Sequence, residues 1–410
     1  MTTVSELPKL PAARRPVAVG VARWPSQARL LLALTLGWLG FGLLMLFSAS
    51  LPVGVLQYDD GTRFFVRQAL TAALGCGLML AVCRMRIEGL FRLAAVAFVP
   101  LLALVLLVKV PGIGVELNGA RRWIQLGSFS LQPSELIKPC LLVLAAVLLP
   151  RWGRLPSRAR AMALAGAGLV VGGVLLQPDL GTAALLCMVL WLMAFASGFR
   201  LWQLLLALVA GAGIASIKIA TTAYQRARIL AFLDPWKSAD AEGYQLVQSL
   251  LAVSSGGTSG TGFGLSAQKL SLLPYPYSDF IFAVFCEEFG LAGALVFLAF
   301  LLFFLAVGMG VAMRAVHPVR RLLAAGSTLL LVGQSLLHIA VVVGAIPPKG
   351  IPLPLVSYGG SGLLASLLCC GLLIRAAIEM DRPARLLRVV PRRTGTSPAR
   401  DRPAHALSAR

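Results

Sequence analysis

Residues 30–50 read LLLALTLGWLGFGLLMLFSAS, with no charged side chain in the run. At 1.5 Å per helical residue this stretch covers about 30 Å, the thickness of a bilayer's hydrocarbon core. The run is continuous rather than alternating, which excludes the strand of an outer-membrane barrel. It lies behind a basic leader and is long enough to span, so it reads as a first span and not as a cleavable signal. Comparable runs follow at 64–83, 89–108, 134–150, 161–176, 180–198, 201–222, 279–308, 322–343 and 358–378. The expected fold is all-α, a polytopic membrane protein of about ten transmembrane helices.

Composition agrees. Of 410 residues, 58% are apolar and 13% charged, against roughly 45–50% and about 25% in soluble domains. That excludes a soluble enzyme, a disordered chain and a disulfide-stapled secreted domain. The seven cysteines include no CxxC pair and lie in or beside apolar runs, so they read as small core residues rather than ligands or bridges.

The net charge of +21 takes its meaning from its distribution. With ten spans both termini share a side, and placing them in the cytoplasm puts 25 of the 37 basic residues there. That is the positive-inside pattern, and it directs the charge at anionic lipid, not nucleic acid. Three parts follow: a basic, partly disordered cytoplasmic segment 1–29, a membrane domain 30–378, and an Arg/Pro-rich disordered cytoplasmic tail 379–410. The segments 109–133, 223–278 and 344–357 then face outward. The second is too long to be a mere connection, so function is expected on the outer face.

Ionisable residues in apolar surroundings are functional candidates. Asp279 opens the eighth span. It suits a helix-capping acid and equally a general base at the membrane boundary. Glu287 and Glu288 lie two turns deeper and point about 100° apart, so they cannot serve one site equally. A buried cation is their expected partner, with Lys218 a candidate. Glu135 and Lys138 fit a local i, i+3 pair, and Asp179 a helix cap. Arg121 and Arg122 beside Trp123 suit a diphosphate or carboxylate, or anchoring at lipid headgroups. The stretch from Ser254 to Gly264 is glycine-rich but lacks the βαβ frame of a nucleotide site. Its glycines suit close approach to a ligand or a helix. His338, alone in its helix, reads as structural.

Taken in order, several motifs resemble the SEDS family, which comprises FtsW, RodA and SpoVE. They are Gly119-Ala-Arg-Arg-Trp-Ile124, Gln132-Pro-Ser-Glu-Leu-Ile-Lys138, Gln177-Pro-Asp-Leu-Gly-Thr182, Arg228-Ile-Leu-Ala-Phe-Leu-Asp234-Pro235 and Gly243-Tyr-Gln-Leu-Val-Gln-Ser249. Gly262-Phe-Gly-Leu-Ser-Ala-Gln-Lys269, Asp279-Phe-Ile-Phe, Glu287-Glu-Phe-Gly290 and Pro352-Leu-Pro-Leu-Val-Ser357-Tyr-Gly-Gly-Ser361 complete the series. The resemblance implies a multi-pass glycosyltransferase of the bacterial cytoplasmic membrane that polymerises lipid II into β-1,4-linked glycan strands with a class B penicillin-binding protein. It implies that Asp279 is catalytic. Arg121, Arg122, Lys138, Gln245, Ser254, Lys269, Lys349 and Ser357 are candidates for binding substrate or diphosphate, and a Mg²⁺ or Mn²⁺ ion is admitted on that diphosphate. Pro348-Lys349-Gly350 is nearer the division-type members, which implies work at the septum. The chain departs from the family's His-Thr-Asp, reading Tyr277-Ser278-Asp279, and from Leu-Pro-Glu, reading Leu273-Pro274-Tyr275. Ser278 keeps a hydroxyl for a cap. The alternatives are an elongation-type polymerase, a lipid II flippase and a non-catalytic scaffold that activates a penicillin-binding protein.

Overall fold

The computed structural model describes residues 20–117, 120–127, 129–241, 243–270 and 272–380. The first nineteen residues of the leader, Asn118-Gly119 and the tail from 381 onward lie outside the described residues, so the expected disorder of both ends does too.

Ten apolar helices correspond to the ten expected spans: α1 Ser26–Tyr58, α2 Arg63–Arg84, α3 Ile87–Leu107, α4 Pro133–Leu148, α5 Ser157–Leu176, α6 Leu180–Ala196, α7 Leu201–Thr221, α10 Ile281–Arg314, α11 Pro318–Val342 and α12 Gly360–Glu379. Among the described residues nine of these are long and apolar enough to cross a membrane, and α6 is a shorter apolar helix. Two further helices, α8 Ala223–Leu233 and α9 Tyr244–Ser255, lie inside the long 223–278 segment.

The helical bundle is as expected, and beside it, among the described residues, there is one small sheet. Segment 109–133 carries an antiparallel sheet of β1 Gly114–Leu117, β2 Ala120–Leu126 and β3 Phe129–Leu131, in that order. Val115 pairs Trp123, Glu116 pairs Arg121 and Ile124 pairs Leu131. Gly127, at φ +61°, turns β2 into β3 with a backbone that a side chain would oppose. These strands of three to seven residues are too short to show the period of a longer strand in the sequence.

α11 and α12 are the pillars of the bundle, with 72% and 78% of their apolar windows buried against 6% for α7. The outer helices keep apolar surfaces because lipid, not protein, covers them. All seven cysteines are free. Cys83, Cys286, Cys369 and Cys370 are buried as expected, whereas Cys187 lies on an exposed apolar face.

α10 is broken at Gly290 (φ 65°, ψ −166°). The break frees backbone groups that cannot stay unpaired in an apolar bundle. The glycine-rich loop satisfies them. Thr261 and Gly262 donate their N–H groups to the carbonyls of Glu287 and Glu288 at 2.9 and 3.0 Å, while Leu291 and Ala292 donate to Gly257 and Thr258 at 2.9 and 3.0 Å. Gly256 and Gly260 are the glycines that admit the helix, since a Cβ on either would run into the Cys286 or Glu288 carbonyl. A Cβ on Gly290 would lie 2.7 Å from the Thr258 carbonyl oxygen and 2.8 Å from the Ser259 nitrogen. Gly290→Ala is expected to cost about 1–3 kcal/mol through strain at positive φ, seen as a lower thermal midpoint in detergent. Gly310→Ala, in the same helix with open space around it, should lower nothing.

Candidate functional site around Asp279

α10 begins at Ile281 with Phe280 as its N-cap, and no side chain caps it. Asp279 is therefore not a capping acid, and Ser278 does not cap the helix either. The Asp279 carboxylate accepts no hydrogen bond from the described residues. Its turn, with Tyr275 at φ 52°, is fixed by the chain leading into α12. Ser357 Oγ donates to the Ser278 carbonyl at 2.7 Å and accepts from the Leu353 N–H at 2.8 Å. The Tyr358 N–H donates to the Tyr277 carbonyl at 2.9 Å. Gln68 Nε2 donates to the Ser357 carbonyl at 3.0 Å. Ser357 thus shapes the site rather than binding in it. Tyr277 fills an aromatic group, stacked on Phe64 at 4.7 Å between centroids and edge-on to Tyr358 at 5.7 Å. An apolar contact accounts for an aromatic ring where the family has His.

Cations gather near this carboxylate. Gly350 packs so closely that a Cβ there would lie 3.3 Å from Asp279 Oδ2. The adjacent Lys349 is half-buried; its carbonyl accepts from the Ile351 N–H at 2.9 Å, its side chain packs by Gly181 at the start of α6, and its ammonium makes no hydrogen bond or ion pair with the described residues. Arg228, on α8, donates to the Pro348 carbonyl at 3.1 Å. Arg122, on β2, donates to the carbonyls of Gln177 and Pro178 at 2.9 and 2.8 Å and stands 3.7 Å from Asp179 Oδ2. Gln225 also donates to the Pro178 carbonyl, at 3.2 Å. Asp179 caps α6 as expected, accepting from Thr182 N and Oγ1 at 3.0 and 2.9 Å. Burial pushes the Asp279 carboxyl up to about 6, against the pull of Arg228 and Arg122, with Asp179 adding to the rise. Burial likewise lowers Lys349 from its ordinary value, with Asp179 opposing. A base poised near neutrality beside cations suits proton removal from a hydroxyl while negative charge develops on a leaving group. Beside this ring, an open cleft of about 480 Å³ is lined by Ala227, Arg228, Ala241, Tyr244, Gln245 and Pro348.

The remaining candidates divide. Gln245 lies in the cleft wall. Arg121 is held by Glu116 at 3.0 Å across the sheet. Lys138 is 2% exposed, 2.6 Å from Glu135 and 3.0 Å from Gln334 Oε1. The local pair is therefore present, and it leaves Lys138 inside the bundle rather than facing a diphosphate. Lys269 is 3% exposed and bonded to Glu288 at 2.6 Å and Ser48 Oγ at 2.8 Å. It takes the place expected of Lys218 as the cation paired with Glu288. Glu287 points elsewhere, accepting from Ser266 Oγ and from the Ala267 N–H at 2.9 Å. Ser254 lies in the last turn of α9 with its hydroxyl on the Leu251 carbonyl. His338 is buried, with Nδ1 2.7 Å from the Ile351 carbonyl, a structural role. Among the described residues no three His, Cys, Asp or Glu side chains gather as a metal site. Gln68, Gln225, Tyr244 and the site role of Arg228 are not legible in the sequence, because only tertiary contact brings them to the Ser357, Pro178, Leu272 and Pro348 carbonyls they hold.

The comparisons with known proteins bear on this arrangement. The family model FTSW_RODA_SPOVE, described as "Cell cycle protein", matches residues 28–382. The chain belongs to this family. A Synechocystis protein named "Probable peptidoglycan glycosyltransferase FtsW" is 45% identical over 92% of this chain and 95% of its own length. A Thioalkalivibrio protein of the same name is 39% identical over 87% and 90%. Among solved structures, the rod shape determining protein RodA of Thermus thermophilus superposes with a TM-score of 0.64 at 28% identity, covering 89% of this chain and all of its own. A chain from "Structural coordination of polymerization and crosslinking by a peptidoglycan synthase complex" gives 0.69 at 28% identity, covering 88% and 99%. The membership extends over the whole bundle, the broken α10 and every residue of the Asp279 ring.

Proposed function

We infer that the chain is a peptidoglycan glycosyltransferase that polymerises lipid II into β-1,4-linked glycan strands, as an FtsW-like enzyme of septal wall synthesis. The observation that carries the reading is the Asp279 carboxylate, raised toward neutrality by burial against the pull of Arg228 and Arg122, with Gly350 packed against it. In this reaction the 4-hydroxyl of the acceptor sugar gives its proton to Asp279. Its oxygen bonds to the anomeric carbon of the lipid-linked donor, and the bond to undecaprenyl diphosphate breaks with inversion from α to β. Lys349 and Arg122 are placed to neutralise the departing diphosphate. Any Mg²⁺ or Mn²⁺ would arrive on that diphosphate, and no step here depends on it.

The charge distribution supports cytoplasmic termini. Counting spans from there, the starts of α6, α10 and α12 and the end of α11 all fall on the outer face, where lipid II is consumed. A class B penicillin-binding protein is the proposed partner, and the bacterial inner membrane at the division septum the proposed location. The charges of the ring sit together at helix ends instead of forming a path through the bundle, which favours polymerase over flippase. Full-length protein with its partner, given labelled lipid II, is expected to yield glycan polymer on a gel. Translocation of lipid II in liposomes without polymer would overturn the reading in favour of a flippase. Neither activity from folded complex would leave a scaffold.

A further inference from the structure

The cleft beside Asp279 differs in chemistry from the cation ring. Its volume of about 480 Å³ lies in the range of small-molecule sites. Arg228 is its one charged lining residue. A diphosphate calls for several cations and bidentate donors, so the cleft suits an uncharged polar ligand. Ala223, Ala227 and Ala241 form low walls. The Tyr244 hydroxyl donates to the Leu272 carbonyl at 2.7 Å, which fixes its ring as a flat face for the C–H side of a pyranose. The half-buried Gln245 amide makes no hydrogen bond with the described residues, leaving two donors and an acceptor for hydroxyl or acetamido groups. Arg228 and Pro348 belong both to the cleft and to the surroundings of Asp279.

We propose that this cleft is the acceptor subsite, holding the uncharged N-acetylhexosamine rings of the acceptor and presenting their 4-hydroxyl to Asp279, while the donor's diphosphate binds outside it near Lys349 and Arg122. The proposal rests on the glycosyltransferase reading. The O–H bond of the acceptor breaks with its proton passing to the Asp279 carboxylate. The oxygen forms the new bond to the anomeric carbon. The old carbon–oxygen bond breaks with its electron pair leaving on the diphosphate.

The test uses full-length wild type, Ala227→Trp, which fills the cleft, and Gln245→Ala, which removes the amide with little risk to folding. Each is titrated with a lipid-free β-1,4-linked N-acetylhexosamine tetrasaccharide and, separately, with undecaprenyl diphosphate. Saccharide affinity is expected to fall about tenfold or more in both variants, with undecaprenyl diphosphate affinity within about twofold of wild type, which also reports an intact membrane domain. Saccharide binding that is absent in wild type, or equal in all three proteins, overturns the proposal. So does weakened undecaprenyl diphosphate binding with saccharide binding unchanged, which would make the cleft the diphosphate site. A wild type that binds saccharide in the cleft yet forms no polymer would sink the glycosyltransferase reading instead, so the two failures are distinguishable.

Discussion

Asp279→Asn is expected to lower polymerisation of lipid II by about 10²- to 10⁴-fold, the range for loss of a positioned general base. Asn is nearly isosteric and cannot take a proton. The Asp279 turn is held by backbone carbonyls and Ser357, not by the carboxylate, so the variant should fold and melt as wild type does. Because burial disfavours the ionised form, a neutral amide is tolerated there at least as well. Affinity for undecaprenyl diphosphate should hold or rise once a negative charge leaves the site. The measurement is the rate of polymer formation at saturating lipid II alongside a melting curve. Wild-type rates from a folded Asn variant would remove Asp279 from the chemistry.

The second large effect is on stability. Lys269 and Glu288 are 3% and 1% exposed and join a loop to α10, with Ser48 of α1 donating to Glu288 at 2.6 Å as a third member. Removing one partner of a buried pair leaves a desolvated charge, at about 3–5 kcal/mol. Lys269→Met is therefore expected to lower the thermal midpoint strongly. The double variant Lys269→Met with Glu288→Gln should recover most of the loss, since no unpaired charge remains. Both are read by thermal unfolding in one detergent. Equal loss in the single and double variants would show that packing, not charge, holds this corner.

The ten spans were legible because each is a long, predominantly apolar run, and burial in lipid demands nothing subtler. The pair Glu135 with Lys138 and the cap by Asp179 were legible as local i, i+3 patterns. The partner of Glu288 was not. Lys269 lies nineteen residues away on the outer loop, whereas an apolar-run reading points to Lys218, the one cation inside the preceding span. The break at Gly290 was equally hidden, since a glycine in an apolar run signals nothing until the 256–262 loop is seen filling the gap. The sheet at 114–131 escaped because its strands are three to seven residues long. Asp279 stood out as a site residue through the family resemblance, and its surroundings show why it can act. Its cations, Arg122 and Arg228, arrive from β2 and α8, which are contiguous only in the fold.

The central claim is that the raised carboxylate of Asp279 is the general base, and the pH dependence of kcat/KM for polymerisation tests it most directly. A carboxyl raised to about 6 is ionised and active above that pH, so the rate should fall about tenfold for each unit below it. The limb should vanish in Asp279→Asn, whose small residual rate stays flat over the same range. An identical acid limb in the Asn variant, or a wild-type rate unchanged from pH 5 to 8, would contradict the account.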